Sequence, residues 1–182
     1  MPYQPLPQRL ARFALLCSLC TLLAACGFQL RGNSSATALP ESWRSLYLDT
    51  GNPNSEFSRE VMARFSANGI TWVESRDEAA FVLSLGPEHF SQRNLSLNRE
   101  ARAAEFELTM QTQFAVLQPG NATPIIEPSS ASVVKQMEND PRNVVGKAEE
   151  IRILKGEMRS ELAQQILRRI GFFAANATRQ AG

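Results

Sequence analysis

The stretch AEFELTMQTQFAVL, residues 104–117, alternates two kinds of side chain along its whole length. Phe106, Leu108, Met110, Thr112, Phe114 and Val116 fall on one side, and Glu105, Glu107, Thr109, Gln111 and Gln113 on the other. Successive side chains of a strand point to opposite faces, so this period of two predicts a long strand in a sheet with one covered and one wetted face. Toward the N-terminus, Phe81, Leu83 and Leu85 repeat the pattern until Gly86-Pro87, a pair that predicts a bulge or bend before the polar residues 88–97. The two arms make a long hairpin with its tip near residues 95–102. Toward the C-terminus, Gln118-Pro119-Gly120-Asn121 reads as a turn and residues 125–137 as a last strand. There Pro128, lacking an N–H, suits an edge or a bulge.

Helical periodicity brackets this β-rich centre. Phe57, Val61 and Phe65 recur at helical spacing with Met62 alongside, Asn54 or Ser55 stands ready as N-cap, Glu56 occupies the first turn and Gly69 supplies a stop. Before that helix, Leu46 and Leu48 share one face of a strand over 44–49, followed by the turn formers of 49–54; after it, residues 70–73 form a brief strand. Beyond Asn139-Asp140-Pro141-Arg142, residues Val144, Ala148, Ile151, Leu154, Met158, Leu162, Ile166 and Ile170 step by three or four. That predicts a long amphipathic helix closing at Gly171, with residues 174–182 as a frayed tail. The element order implies an α+β fold: a two-layer sandwich of a mainly antiparallel or mixed sheet with two helices packed on one face, over residues 41–173. Its core should join Phe106, Leu108, Met110 and Phe114 to Val61, Phe65, Leu154, Met158 and Leu162.

The first 25 residues read as a removable lipoprotein signal peptide. Arg9 and Arg12 precede an apolar run over 13–23, and Leu22-Leu23-Ala24-Ala25-Cys26 places small residues before a cysteine, as export and a lipoprotein peptidase require. The run is short for a bilayer span of about 20 residues. Cys26 would then carry a diacylglyceryl group on sulfur and an acyl group on its new amino terminus, and several chains anchor durably because each buried CH₂ contributes about 0.8 kcal/mol. Residues 26–40 are the lipidated cysteine and a Ser/Ala/Thr/Pro-rich tether. Gly27 stands where an aspartate would favour inner-membrane retention, and similarity to lipoproteins of two-membrane bacteria implies the outer membrane, with the domain facing the periplasm. Cleavage leaves 157 of the 182 residues, enough for one core. The net charge falls from +1 to −1 as Arg9 and Arg12 leave with a leader that has no acid, so bulk attraction for nucleic acid is not expected. The other cysteines, Cys17 and Cys20, also lie in the leader, so no disulfide framework is expected.

Parts for catalysis are missing from the sequence. His89 is the single histidine and reads as a solvated strand residue, which leaves a zinc site or a histidine-based triad without components. No phosphate-cradling glycine loop or nucleophile elbow occurs. Glu105 and Glu107, a nominal acid pair, share the wetted face of one strand. A non-enzymatic protein with no metal and no cofactor, apart from the covalent lipid on Cys26, is expected.

Cys26-Gly27-Phe28-Gln29-Leu30-Arg31-Gly32, the strand and turn Leu46-Tyr47-Leu48-Asp49-Thr50-Gly51-Asn52-Pro53-Asn54, and the Asp140-Pro141 turn before the final helix resemble the LPS-assembly lipoprotein (LptE) family over nearly the whole mature chain. The resemblance implies a plug within the outer-membrane barrel LptD that supports barrel assembly and binds lipopolysaccharide in transit. It also implies contact positions for lipopolysaccharide at a basic residue of the central hairpin and a lysine after the turn, here Arg99 and Lys147. Phosphates and carboxylates of such a lipid need cations, best of all the arginine fork, and Arg93 and Arg102 join Arg99 near Leu95 and Leu97. Glu100, Glu149 and Glu150 dilute that basic character. Two alternatives stay open on the residues alone: a lipoprotein subunit of another outer-membrane assembly or envelope-scaffold complex, and an anchored hydrolase.

Overall fold

A computed structural model of the chain describes residues 39–97, 99, 103–139 and 144–180. The leader, Cys26, the tether up to residue 38, Arg102 and the Asp140-Pro141 turn lie outside the described residues.

The alternating stretch forms β5 (Ala103–Leu117), the spine of a six-stranded mixed sheet. Phe106, Leu108, Met110, Thr112 and Phe114 are buried, while Glu105, Gln111 and Gln113 are exposed, as the period of two requires. Along one edge of β5 run two antiparallel strands in succession: β3 (Phe81–Leu85) pairs with residues 114–117, and β4 (His89–Leu97) with residues 103–111. The expected single arm is therefore broken at Gly86-Pro87-Glu88. Gly86 keeps the ladder through an N–H donated to the Gln113 carbonyl at 2.8 Å, and a Cβ there would meet that carbonyl oxygen at 3.2 Å, so a side chain would have to push the strands apart by a few tenths of an ångström. The extra residue rephases the arm, leaving Leu83 and Leu85 before it and Glu88 and Phe90 after it on the same face. The opposite edge of β5 is filled by β6 (Pro124–Glu138), whose register shifts beside Glu127-Pro128, the bulge its proline implies.

β1 (Ser45–Asp49) lies parallel both to β3 and to the short β2 (Thr71–Trp72), which makes the sheet mixed. Between β1 and β2 runs α1 (Glu56–Ser66), capped by Ser55, whose Oγ accepts the Ser58 N–H at 3.0 Å. Phe57, Val61 and Phe65 are its buried stripe, and it ends at Gly69 with φ of 85°, the left-handed backbone glycine tolerates.

The second helix, α2 (Val144–Gln180), differs from expectation at its end. It passes through Gly171 and continues to Gln180, and Ala174, expected to fray, is fully buried. A glycine inside a helix costs only about 1 kcal/mol, and burial of Ile170, Gly171 and Ala174 offsets it. Met158, Leu162, Ala163, Ile166, Leu167 and Ile170 join Phe106, Leu108, Met110 and Phe114 of β5 and Val61 and Phe65 of α1 in one core. α2 also guards the edge strand. Gln165 accepts the Ser132 N–H at 3.2 Å, Arg169 donates to the Ser130 carbonyl at 2.6 Å, and Lys135 of β6 pairs with Glu157 and Glu161. Arg159, with 17% of its side chain exposed, forks onto Glu88 at the arm's break and reaches Glu56 at the start of α1, fixing three elements together.

Candidate functional site

β4 and β5 close toward their turn at the Leu97–Ala103 rung, and the ladder is irregular just before it. Asn94 faces Phe106 and Ser96 faces Glu105, so Leu95 is the unpaired extra residue of a bulge. Ser96 Oγ donates to the Glu105 carboxylate at 2.8 Å. Arg99 sits in the turn, exposed, and no ion pair of it is found among the described residues. Leu97 is 59% exposed and Leu95 38%, unusual for leucines in a domain that buries most of its large apolar side chains. The tip thus presents a cation flanked by apolar surface.

Lys147 reaches the same end of the ribbon from the first turn of α2. Its ammonium lies 4.4 Å from the centre of the Phe106 ring and donates to Asn139 Oδ1, while the Asn139 N–H bonds the Ala104 carbonyl at 2.8 Å. Phe106 is three residues along β5 from Ala103, about 10 Å at 3.3 Å per residue, so Arg99 and Lys147 belong to one end of the molecule. Lys147 is half-buried and partly committed to holding that end together. Arg93 is more fully committed. It points from the wetted face of β4 and forks onto Glu107 directly across the ladder, at 2.6 and 3.0 Å. Through that hydrogen-bonded pair Glu107 raises the Arg93 pKa, and Arg93 holds the Glu107 carboxyl below its ordinary value. The sequence shows Glu107 as a solvated acid but not as the partner of Arg93, because their pairing depends on register. The contacts of Lys147 with Asn139 and Phe106 likewise arise only where β5, the end of β6 and α2 meet, which no local pattern records.

Among the described residues the rest of the surface gathers no comparable chemistry. His89 is exposed at the start of β4, beside a shallow cavity of about 380 Å³ lined by Gly86, Pro87, Gln111 and Gln113. A second hollow of about 500 Å³ lies between the loop after β1 and the arm's break, and its one acid, Glu88, is held by Arg159. Glu105 and Glu107 lie on one strand face rather than across a cleft, each with a partner on β4. Among the described residues no cluster of three side chains suited to a metal ion is found.

A family model described as LptE, Lipopolysaccharide-assembly, matches residues 43–170. The chain is 31% identical over 159 residues to the LPS-assembly lipoprotein LptE of Yersinia pestis (strain Pestoides F), an alignment covering 86% of this chain and 73% of that one. The same values hold for the LptE of Yersinia pseudotuberculosis serotype O:1b (strain IP 31758). Among solved structures, the rare lipoprotein B of Shewanella oneidensis superposes with a TM-score of 0.66 at 28% identity, covering 74% of this chain and 98% of that one. The lipoprotein B of Nitrosomonas europaea shares the fold, with a TM-score of 0.68 at 22% identity over 82% of this chain and 93% of that one.

Proposed function

The chain belongs to the LptE family of lipopolysaccharide-assembly proteins, and from that premise we propose that it is a non-enzymatic lipoprotein, anchored by Cys26 in the outer membrane, that plugs and supports assembly of an LptD-like barrel and binds lipopolysaccharide at its ribbon tip. The observation that carries the lipid-binding part is the exposed cation Arg99 set beside exposed Leu95 and Leu97. Lipopolysaccharide joins phosphates and carboxylates to acyl chains, and a site for it needs cationic and apolar surface together. Arg99 supplies an exposed fork with no ion pair among the described residues, and Lys147 supplies a second charge whose stem is already ordered, so less side-chain entropy is lost on binding. Arg93 contributes less because Glu107 neutralises it. Arg102 is the remaining candidate, adjacent in sequence to the same turn.

The test is a double inversion, Arg99→Glu with Lys147→Glu, in the acylated full chain. Lipopolysaccharide binding should fall at least tenfold while barrel pull-down from detergent-solubilised membranes survives, and raising salt should weaken wild-type binding in parallel. Inverting Arg44 and Arg59, exposed arginines away from the ribbon, controls for net charge. Lys147→Gln separates loss of charge from loss of the Asn139 contact. Wild-type binding by the double inversion would place the lipid site elsewhere. Co-purification with a different barrel complex would replace the LptD assignment.

A further inference from the structure

Phe172 is 71% exposed, the most exposed large apolar side chain among the described residues, and it sits on a folded, well-packed helix. Arg168 and Arg169 lie one turn before it on the same face, both exposed, with Arg169 tied to the Ser130 carbonyl. The charge of α2 divides sharply at this point. Its first half mixes Glu149, Glu150, Glu157 and Glu161 with Lys147, Arg152, Lys155 and Arg159, whereas residues 162–180 hold Arg168, Arg169 and Arg179 and no acid. Phe173, next to Phe172, packs edge-on against Trp43 with ring centres 6.1 Å apart, and Trp43 stacks on Phe81 at 3.9 Å. The end of α2 that is basic and aromatic is therefore the end at which the folded domain begins, with Leu39 and Trp43 in its core.

We propose that the C-terminal half of α2 is a second membrane contact, resting Phe172 and Arg168 on the phospholipid surface that holds the acyl chains of Cys26. This inference rests on the lipoprotein reading above. Leu39 is only 13 residues beyond Cys26, and at no more than about 3.5 Å per step that keeps the Leu39 end within about 45 Å of the bilayer. An aromatic ring at the interface with arginines toward anionic headgroups is the chemistry of a helix that lies on a membrane. No helix among the described residues is long and apolar enough to cross one, so α2 lies on the surface. Acyl anchor and helix together fix how the domain stands on the membrane, which a single point of attachment leaves free.

The experiment uses the exported full chain in vesicles of phosphatidylethanolamine with and without phosphatidylglycerol. Phe172→Cys leaves a single labelling site once the leader is removed and Cys26 acylated, and Ile153→Cys, also exposed on α2, is the comparison. A nitroxide at 172 should show several-fold higher relative accessibility to oxygen than to a water-soluble nickel complex, compared with the label at 153. Adding Arg168→Glu should reduce that ratio most in the anionic vesicles. Equal ratios at 172 and 153 in an acylated chain would overturn this inference alone, whereas failure of Cys26 to take up palmitate would overturn both it and the lipoprotein reading. A label at 172 that is aqueous in vesicles and shielded only when the barrel is present would assign the surface to a protein partner and likewise overturn the membrane contact.

Discussion

Leu108 and Glu107 are neighbours on β5 with opposite fates. Leu108 is fully buried beneath the helices, and truncating it to alanine should cost about 2–5 kcal/mol in denaturant melts, while Glu107→Ala on the wetted face should move the midpoint far less, losing only the pair with the exposed Arg93. Arg159 carries more than its class usually does. Arg159→Met would strand Glu88, a half-buried acid, and should destabilise by about 2–3 kcal/mol; Arg159→Lys should recover only part, since an ammonium cannot fork onto the carboxylate. Lys135 gives a pH signature. Hydrogen bonds that its ammonium donates to Glu161 and Glu157 raise its pKa, so its contribution is complete below the ordinary lysine value of about 10.4 and disappears as pH rises through the higher folded value. Both glutamates are more than half exposed, which limits the effect to within about 1 kcal/mol. Lys135→Met should therefore flatten the alkaline limb of the stability curve, and an alkaline limb as steep as that of the wild type would show that the pairing contributes nothing.

At the scale of elements, legibility followed locality. β5 was readable because its alternation over 104–117 is a local record of which face is dry, and α1 because its cap, stripe and stop lie within a few residues. The parallel pairing of β1 with β3 was not, since it joins segments about 35 residues apart whose sequences carry no mark of their partner. Gly86-Pro87 announced a break, but only the register shows that it hands β5 from one strand to another. Gly171 misled because the residue that ends many helices is also tolerated inside one when its flanks are buried. That correction is testable: Ala174→Asp places a charge at a fully buried position and should cost on the order of 2 kcal/mol or more, with faster amide exchange through the last turns of α2. A frayed tail would give no change in either measurement. At the candidate site, the sequence located the tip and its cations but not their commitments, which arise where three elements meet.

For the molecule as a whole, the proposed anchoring is expected to be separable from folding. Cys26 is the only cysteine beyond residue 25, so under the proposed lipidation Cys26→Ala should abolish palmitate incorporation while the domain keeps its melting temperature, because no core residue changes. Palmitate on the Cys26→Ala protein would refute the assignment. The ladder of the ribbon holds one more consequence. From the Phe106 rung to the Gln111 rung, β4, β5 and β6 pair one to one without a bulge, and α2 buries its continuous stripe only from Met158 onward. The ribbon's reach is thus open to extension: adding two matched rungs would move the tip by about 6.6 Å and return every side chain to its own face, whereas a single rung would put the tip's side chains on the wrong faces and removing two would take a core residue such as Leu108 or Met110 with them. Such an extension leaves β1, β2, β3 and α1 as they are, so the distance of the tip from the rest of the fold is set by the number of paired rungs.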